Sequence, residues 1–259
     1  MDCSAWYSTM KVNREALKEE LEKSLTDPRM MLLESKDYDE MIDVFADAFL
    51  EDPLALYVSG LDGLEIDATK KKELQLKCNV HINGWVNRPI LVRNKGVAVG
   101  IKDPVTSTLA GAMTLVPGSA KTNGFWDVVT TMFAVGAPPF YTKEKVNYGL
   151  HADKRLESLV DLTERKKQVM EDKEYIYVQT VGVKNIFQGK GYGGLLLRLL
   201  LDISRSMKVG LYLETESESN ESLYKHFGFQ TLETLELQGK DDTTNAKLKM
   251  WLMYRPADL

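Results

Sequence analysis

The sequence predicts a mixed α+β fold, in which helices cover both faces of a mostly antiparallel central sheet. Two observations support this fold class. The centre of the pattern is a strand, a helix and a second strand, and a β-hairpin is predicted on each side of it. In chain order these elements are Gly96–Lys102, Thr108–Val116, Tyr175–Val183, the helix Leu195–Met207, Gly210–Thr215, Phe229–Leu237 and Ala246–Tyr254. Hairpin strands are antiparallel and the strands of a strand-helix-strand unit are parallel, so one sheet that holds both is mixed.

The N-terminal part of the chain combines helices with one short strand. Val12–Leu25 has leucines four residues apart, with Asn13 available as N-cap, and this pattern predicts an amphipathic helix. A short apolar run, Met30–Leu33, precedes a second helix over Asp37–Leu50. That helix ends before Pro53–Tyr57, which can start another short one.

The middle of the chain is mainly helical. Ala68 to Trp85 predicts a helix. Residues 117–173 are also helical in character, most clearly over Phe125–Phe133 and Leu156–Met170, with Pro138-Pro139 as the break between them. We therefore predict that residues 117–173 form a helical insert before the central strand.

Length and composition indicate a folded domain rather than a disordered or fibrous chain. The 259 residues are 44% hydrophobic and 27% charged, which is ordinary for a globular protein with a substantial core. We assign residues 1–28 to an N-terminal helical extension and 29–257 to a single domain. Cys3 and Cys78 are far apart in sequence and lack a C-x-x-C spacing, so neither a disulfide framework nor a metal site is predicted.

Net charge and hydropathy restrict the partners and the compartment. The formal net charge is −5, which argues against bulk attraction to nucleic acid or to an anionic membrane. No apolar stretch approaches the ~20 residues of a membrane span. Together with the scarcity of cysteine, this predicts a cytoplasmic protein, with the nucleus as the alternative compartment.

The most informative motif is the glycine-rich segment Gln188-Gly189-Lys190-Gly191-Tyr192-Gly193-Gly194, between a predicted strand and a predicted helix. Glycines leave backbone N–H groups uncovered, and the positive end of a helix dipole attracts an anion. Lys190 adds a positive charge. We therefore expect the amides of this glycine loop to bind the phosphate groups of a ligand.

Two classes of ligand fit the glycine loop. Gly189, Gly191 and Gly194 match the G-x-G-x-x-G dinucleotide fingerprint, and Glu214 lies about 20 residues further on at the end of the next strand. Two features argue against a dinucleotide. Residues 184–188 separate the strand from the first glycine, and too few residues follow Glu214 for the remaining crossovers of such a domain.

Several motifs in the correct order resemble those of one family. Gln188–Gly193, after its apolar strand, matches the Q/R-x-x-G-x-G/A signature of the GNAT superfamily of acetyl-CoA-dependent N-acyltransferases. Asn220-x-x-x-Tyr224-x-x-Phe227-Gly228-Phe229 resembles the next motif of that family. Ala48-Phe49-x-x-Asp52-Pro53 and Trp251-Leu252-Met253-x-Arg255 resemble the first helix end and the last strand of puromycin-acetyltransferase-like members. The resemblance spans roughly Met30–Pro256 and favours an acyl-CoA ligand.

Resemblance to the GNAT superfamily implies acetyl-CoA as co-substrate and no metal. The pyrophosphate would bind at the amides of the glycine loop. The pantetheine arm would lie beside the splayed end of the central strand, where an amide near Val181 can polarise the thioester carbonyl. The implied ligand-binding residues are Thr180, Val181, Gly182, Val183, Gln188, Gly189, Lys190, Gly191, Tyr192, Gly193, Gly194, Asn220 and Tyr224.

Direct transfer to an amine uses a base for the ammonium and an acid for the leaving thiolate. The resemblance implies that Tyr224 is the acid. Asn220 can be either the N-cap of its helix or a contact of the pantetheine. Glu214 is the predicted base, because it ends the strand beside the acyl site, where burial would raise its pKa. Glu216 and Glu218 are more exposed alternatives.

The predicted function is acetyl transfer from acetyl-CoA to a primary amine by direct attack in a ternary complex. A small-molecule acceptor is favoured, and a protein amine is the alternative. Phe49–Tyr57, the hairpin near Asp103 and the insert 117–173 should determine the acceptor, and Glu51, Asp52, Glu214 and Glu216 would suit a cation. A non-catalytic acyl-CoA-binding module is the competing hypothesis. The protein should be a monomer or homodimer, with neither nucleic acid nor membrane as partner.

Overall fold

The structure is a computed structural model that describes residues 12–120, 125–136, 148–149 and 151–257, of which 125–127 by their backbone only. Cys3 and Pro138-Pro139 lie outside these residues. The described helices are α1 (Arg14–Ser24), α2 (Tyr38–Ala48), α3 (Pro53–Ser59), α4 (Ala68–Leu91), α5 (Phe125–Val135), α6 (Ala152–Val169), α7 (Tyr192–Met207) and α8 (Glu218–His226). The described strands are β1 (Met30–Leu32), β2 (Val97–Lys102), β3 (Leu109–Pro117), β4 (Tyr175–Val183), β5 (Gly210–Thr215), β6 (Gln230–Gln238) and β7 (Lys247–Arg255).

The described strands form one sheet in the order β1-β2-β3-β4-β5-β7-β6. β4 and β5 are parallel, and every other neighbouring pair in this order is antiparallel. Helix α7 connects β4 to β5. Parallel neighbouring strands need such a crossover, because a short turn cannot join them. The predicted mixed, mostly antiparallel sheet is confirmed, and so are both predicted hairpins, β2–β3 and β6–β7.

Helices α1 and α7 cover one face of the sheet, called here the first face. The Asn13 side chain accepts a hydrogen bond from the Ala16 amide (2.9 Å), so the predicted N-cap of α1 is confirmed. Leu17 and Leu21, on the apolar side of α1, are fully buried in the main core with Leu196 and Leu200 of α7. Burial of each leucine stabilises the fold by about 1.5–3 kcal/mol, which anchors α1 to the domain.

Helices α2 and α4 cover the opposite face, called here the second face, and α3 and α6 extend that layer towards β6 and β7. Phe45 and Met41 of α2 are fully buried beneath the helix. A Cβ atom built on Gly182 of β4 would lie 3.0 Å from the Phe45 ring and 3.1 Å from the Ala48 Cβ atom. Glycine at this position therefore allows α2 to pack closely on β4.

A buried arginine fixes α6 to the rest of the domain. Arg155 is only 1% exposed, and its Nε donates to Asp242 on the β6–β7 connection (2.7 Å). Its guanidinium also donates to Asp62, just after α3 (2.7 Å), and to the Tyr57 carbonyl of α3 (3.0 Å). The arginine thus joins three segments that are distant in sequence, and its charge is balanced by two carboxylates.

Helix α4 is longer than predicted. It continues past Trp85 to Leu91, with Pro89 in its last turn. The sequence conceals this continuation, because proline usually ends a helix and because the buried Asn83 and Asn87 interrupt the apolar pattern. In the described ranges, no helix combines the length and the hydropathy that crossing a bilayer requires.

Candidate functional site

A cleft opens between β4 and β5, where their pairing stops. The last pair of the parallel ladder is Tyr177↔Tyr212, yet β4 continues to Val183 and β5 to Thr215. Over the same stretch β4 stays paired with β3 on its other side. Apart from the Val183 carbonyl, which accepts a hydrogen bond from Gln188 Nε2, the backbone of residues 178–183 therefore presents to the cleft an edge that no other strand pairs with. The predicted pantetheine-binding residues Thr180, Val181, Gly182 and Val183 lie on this edge.

A β-bulge lies where the two strands separate. Thr114 pairs with Thr180 and the next residue, Leu115, pairs with Val178, so the β3–β4 ladder skips Gln179. An extra residue bends a strand and increases its local twist. Because the bulge comes two residues after the last β4–β5 pair, it turns β4 away from β5 and opens the cleft.

The glycine loop lies at the end of this cleft, directly after β4. Gly189 and Gly191 have φ angles of +76° and +85°, and a Cβ atom at either would meet nothing within 4 Å. Helix α7 begins at Tyr192, three residues earlier than predicted, with Gly191 as its N-cap. The first described intrahelical bond is from the Leu195 amide to the Gly191 carbonyl (3.1 Å). The Lys190 amide donates to the Phe187 carbonyl (3.4 Å), whereas the amides of the first helical turn, those of Tyr192, Gly193 and Gly194, can bind an anion at the positive helix end.

Two side chains of the glycine loop support it instead of facing a ligand. Gln188 Nε2 donates to the Val183 carbonyl (3.2 Å), which ties the loop to the end of β4. Tyr192 is buried, and its hydroxyl donates to Asp103 Oδ2 (2.7 Å). The Gln188 amide donates to the Asn185 carbonyl (3.2 Å), so of these two residues only Tyr192 is expected to offer its backbone amide to a ligand. Lys190 Nζ lies 5.0 Å from the centre of the Phe187 ring and keeps its charge at the loop.

A hydrogen bond from Tyr192 ties the hairpin near Asp103 to the glycine loop. Asp103 also accepts hydrogen bonds from the amides of Val105 and Thr106 in its own turn. Its carboxylate is therefore committed to the turn and to Tyr192. The hairpin therefore supports the glycine loop, and its part in determining the acceptor stays a prediction.

Two carboxyl groups meet on the second face at the open end of the cleft. Asp52 is the N-cap of α3, and its Oδ1 accepts a hydrogen bond from the Ala55 amide (2.9 Å). Glu216 directly follows β5. Both side chains are half-buried, and they are hydrogen-bonded to each other. We call them the acid pair.

The surroundings of the acid pair raise the pKa of both carboxyl groups. Desolvation and, after it, the charge of Asp52 raise the pKa of Glu216 to about 9. Desolvation also raises the pKa of Asp52, but hydrogen bonds from Glu216 and from the Ala55 and Leu54 amides oppose this. A helix N-terminus favours an anion, so we place the charge on Asp52 and the proton on Glu216.

The predicted acid, Tyr224, lies close enough to the acid pair to feel its charge. Burial raises the pKa of the Tyr224 phenol, and the charges of Glu216 and Asp52 raise it further. Its ring packs edge-on against Phe229, with the ring centres 5.7 Å apart. The phenol therefore stays protonated near neutral pH, as a proton donor must.

Of the two roles weighed for Asn220, the structure excludes that of N-cap. The N-cap of α8 is Ser217, whose Oγ accepts a hydrogen bond from the Asn220 amide (3.2 Å). The Asn220 side chain instead donates to Glu216 Oε1 (3.5 Å). Its contact with pantetheine stays a prediction.

Glu214, the predicted base, is not available to a substrate. Its side chain is 8% exposed and accepts hydrogen bonds from the hydroxyls of Tyr177 (2.5 Å) and Tyr212 (2.9 Å), one on each oxygen. Lys166 Nζ lies 4.0 Å from it. Both carboxylate oxygens are thus occupied, and Glu216, expected to be exposed, takes the position at the cleft.

The sequence does not predict that Asp52 and Glu216 form a pair, although the sequence around each residue contains an indication of its position. Asp52 precedes Pro53, and an aspartate before proline at the start of a helix is typical of an N-cap. Glu216 follows Tyr212 and Glu214 at a spacing of two, the spacing of residues that share one face of a strand, although β5 itself ends at Thr215. What the sequence lacks is the contact between the two residues.

Two other side chains of reactive types, Cys78 and His151, do not belong to the cleft. Cys78 is fully buried in α4, and burial raises the pKa of its thiol to about 12, so it is no thiolate nucleophile. His151 Nε2 is 3.0 Å from the Thr243 hydroxyl. Among the residues that the structure describes, no three His, Cys, Asp or Glu side chains are grouped as a metal site would need.

Comparison with known proteins gives one family match and several similar folds. Residues 158–229 match the profile of the Acetyltransferase (GNAT) family. An uncharacterized N-acetyltransferase of Schizosaccharomyces pombe is 23% identical over 233 residues, which cover 86% of this chain and 81% of that protein. The C-terminal condensation domain of Ebony, in complex with beta-alanyl-dopamine, has a similar fold (TM-score 0.57, 9% identity, 88% of this chain and 97% of that one). Arylalkylamine N-acetyltransferase 2 of Aedes aegypti is also similar (0.50, 12%, 88% and 98%).

The matched span runs from α6 to Phe229 and includes β4, the glycine loop, β5, Glu216 and Tyr224. Over this span the chain matches the Acetyltransferase (GNAT) family, and its fold is similar to those of N-acetyltransferases. Membership of the puromycin-acetyltransferase-like branch stays a prediction.

Proposed function

We propose that the protein transfers the acetyl group of acetyl-CoA to the primary amine of a small cationic molecule. The observation that carries this proposal is the acid pair, one carboxylate and one retained proton at the open end of the β4–β5 cleft. A carboxylate in this position can attract an ammonium group and then accept its proton. On its composition, we place the protein in the cytoplasm or the nucleus.

The residues around the cleft fit acetyl-CoA. The space above Gly189 and Gly191 and the free amides at the start of α7 suit a pyrophosphate. The unpaired edge of residues 178–183 suits the amides of a pantetheine arm. Bound acetyl-CoA supplies the thioester that is cleaved, and the chain supplies donors at one end and the acid pair at the other.

Three side chains and one backbone amide account for the chemistry. Asp52 accepts a proton from the ammonium, which leaves a neutral amine able to attack the thioester carbonyl. An amide of β4 near Val181 stabilises the negative charge that develops on the carbonyl oxygen. Tyr224 donates a proton to the leaving sulfur, and the proton of Glu216 replaces it. Of the two protons that the ammonium loses, one ends on the thiol of CoA and the other leaves to solvent.

A small amine is the acceptor we favour. The acid pair carries a single negative charge, which suits one ammonium group. The names of two similar folds concern small amines, since one is bound to beta-alanyl-dopamine and the other is an arylalkylamine N-acetyltransferase. These names describe those proteins, and for this chain they support only the general expectation that the acceptor is a small amine. A peptide amine is the second arm of the test.

The test combines binding with turnover. Calorimetry should show that the protein binds acetyl-CoA but not NAD(P), and a panel of alkylamines, arylalkylamines, polyamines and peptides should reveal at least one acetylated amine. Tyr224→Phe should bind acetyl-CoA as well as the wild type does but turn over more slowly. Binding without turnover on any amine would instead identify a non-catalytic module, and binding of NAD(P) alone would overturn the assignment.

A further inference from the structure

A stripe of four amide side chains runs along α4. Gln75, Asn79, Asn83 and Asn87 recur every four residues and therefore share one side of the helix. All four are buried, Asn87 completely. A buried amide costs free energy unless it is hydrogen-bonded, so the partners of this stripe indicate why polar residues stand there.

The members of the stripe are bonded to one another. Gln75 Nε2 donates to Asn79 Oδ1 (2.8 Å), Asn83 Nδ2 donates to the Asn79 carbonyl (2.9 Å), and Asn87 Nδ2 donates to the Asn83 carbonyl (3.1 Å). Each amide thereby has a fixed orientation along about three turns of the helix. The stripe is a rigid row of donors and acceptors between α4 and the elements beneath it.

The N-terminal end of the stripe binds the chain on both sides of Asp52. Asn79 Nδ2 donates to the Ala46 carbonyl of α2 (3.0 Å), and Gln75 Nε2 donates to the Ala55 carbonyl of α3 (3.1 Å). The turn that carries Asp52 lies between Ala46 and Ala55. Helix α4 therefore sets the position of this turn on the second face.

The C-terminal end of the stripe binds the bulge of β4. Asn87 Oδ1 accepts hydrogen bonds from the hydroxyls of Thr114 on β3 (2.9 Å) and Thr180 on β4 (3.2 Å). These two threonines face each other in the ladder and form the pair next to the skipped Gln179. One acceptor atom thus holds both strands at the point where β4 turns into the cleft.

We propose that Asn87 is a positioning residue for acetyl transfer. Through Thr180 it fixes the amides of β4 just past the bulge, and through the rest of the stripe it fixes their distance from Asp52. Being fully buried, Asn87 acts through these residues and not on the substrate. The inference rests on the proposed function, because it concerns the same cleft.

Thr180→Val and Thr114→Val are a matched pair that tests this role. Each substitution removes one of the two hydroxyl groups that donate to Asn87 Oδ1, and valine has nearly the same shape as threonine. Only Thr180 lies on β4, whereas Thr114 lies on β3. The probe is acetyl-CoA labelled with ¹³C at the acetyl carbonyl, whose stretching frequency is measured by infrared difference spectroscopy when bound. Thr180→Val should shift this frequency towards that of free acetyl-CoA and lower kcat about tenfold, with little change in the KM for acetyl-CoA.

Thr114→Val should remain close to the wild type in both frequency and kcat, and Thr180→Ser, which keeps the hydroxyl, should restore both. Thermal unfolding of each variant separates positioning from loss of stability. If acetyl-CoA binds but the two valine variants behave alike, this inference fails and the proposed function stands. If the wild type binds no acetyl-CoA, the proposed function fails and this inference fails with it.

Discussion

The Asp52 carboxyl group caps helix α3 through the Ala55 amide and is hydrogen-bonded to Glu216 at the end of β5. A single side chain therefore joins a helix terminus to the open end of the cleft. The backbone amides of α3 stabilise its charge, although its desolvated surroundings raise its pKa. As a result the two members of the acid pair differ in charge, and substitutions at the two positions should have different effects.

Replacing the proposed base should impair turnover without unfolding the protein. Asp52→Asn should lower kcat by about 10²- to 10³-fold, because asparagine caps a helix as well as aspartate does but cannot accept the proton. Steady-state kinetics and thermal unfolding measure the two effects. Asp67→Asn is the matched control, since Asp67 caps α4 in the same way, through the Lys70 amide (3.0 Å), away from the cleft. Equal activity of the two variants would contradict the role of Asp52.

Glu216 should make the stability of the fold depend on pH. Its pKa is raised from 4.5 to about 9, so the folded protein keeps a proton that the unfolded chain releases. Its contribution to the free energy of unfolding is therefore full below about pH 4.5 and declines as the pH rises towards 9. Urea unfolding at several pH values should show this decline in the wild type and a smaller one in Glu216→Gln. The control Glu218→Gln, on the exposed side of α8, should keep the wild-type dependence.

A single methyl group on the glycine loop should weaken acetyl-CoA binding while sparing the fold. A Cβ atom at Gly193 would meet only the Val183 side chain, at 3.8 Å, so the folded chain can accommodate alanine there. Gly193→Ala would nevertheless place a methyl group beside the amides that we assign to the pyrophosphate. Calorimetry should show a Kd for acetyl-CoA that is about tenfold higher. Gly63→Ala, with nothing within 4 Å of its Cβ, is the control, and unchanged binding by Gly193→Ala would place the phosphates elsewhere.

Removal of the buried arginine should destabilise the domain strongly. Arg155→Ala leaves Asp242, whose side chain is fully buried, without its cationic partner, and a loss of about 3–5 kcal/mol in the free energy of unfolding is expected. Chemical denaturation measures this loss. Arg165→Ala breaks an ion pair between Arg165 and Glu233 in which the arginine is exposed, and it should change stability little. A similar effect of both substitutions would show that the Arg155 network is not what fixes α6.

Much of the fold followed from local sequence pattern. The bounds of β4 and β5 agree with those predicted, because alternating and β-branched residues between clear turns leave little ambiguity. The glycine loop was equally visible, since the left-handed φ angles at Gly189 and Gly191 favour glycine. The last turns of α4 do not follow from the sequence, because Pro89 is typical of a helix end and the buried Asn87 interrupts the apolar pattern.

The sequence by itself determined the order of the elements and indicated the resemblance to GNAT acetyltransferases, from which the phosphate site is predicted. Only the tertiary structure decided which acidic residue stands at the cleft. Glu214 lies near the end of β5 and Glu216 directly after it, two residues apart, and nothing in the local sequence distinguishes them. The difference arises because the hydroxyls of Tyr177 and Tyr212 are hydrogen-bonded to the Glu214 carboxylate, whereas Glu216 is hydrogen-bonded to Asp52 at the N-terminus of α3. Burial and pKa depend on neighbours distant in sequence, and these exist only once the chain is folded.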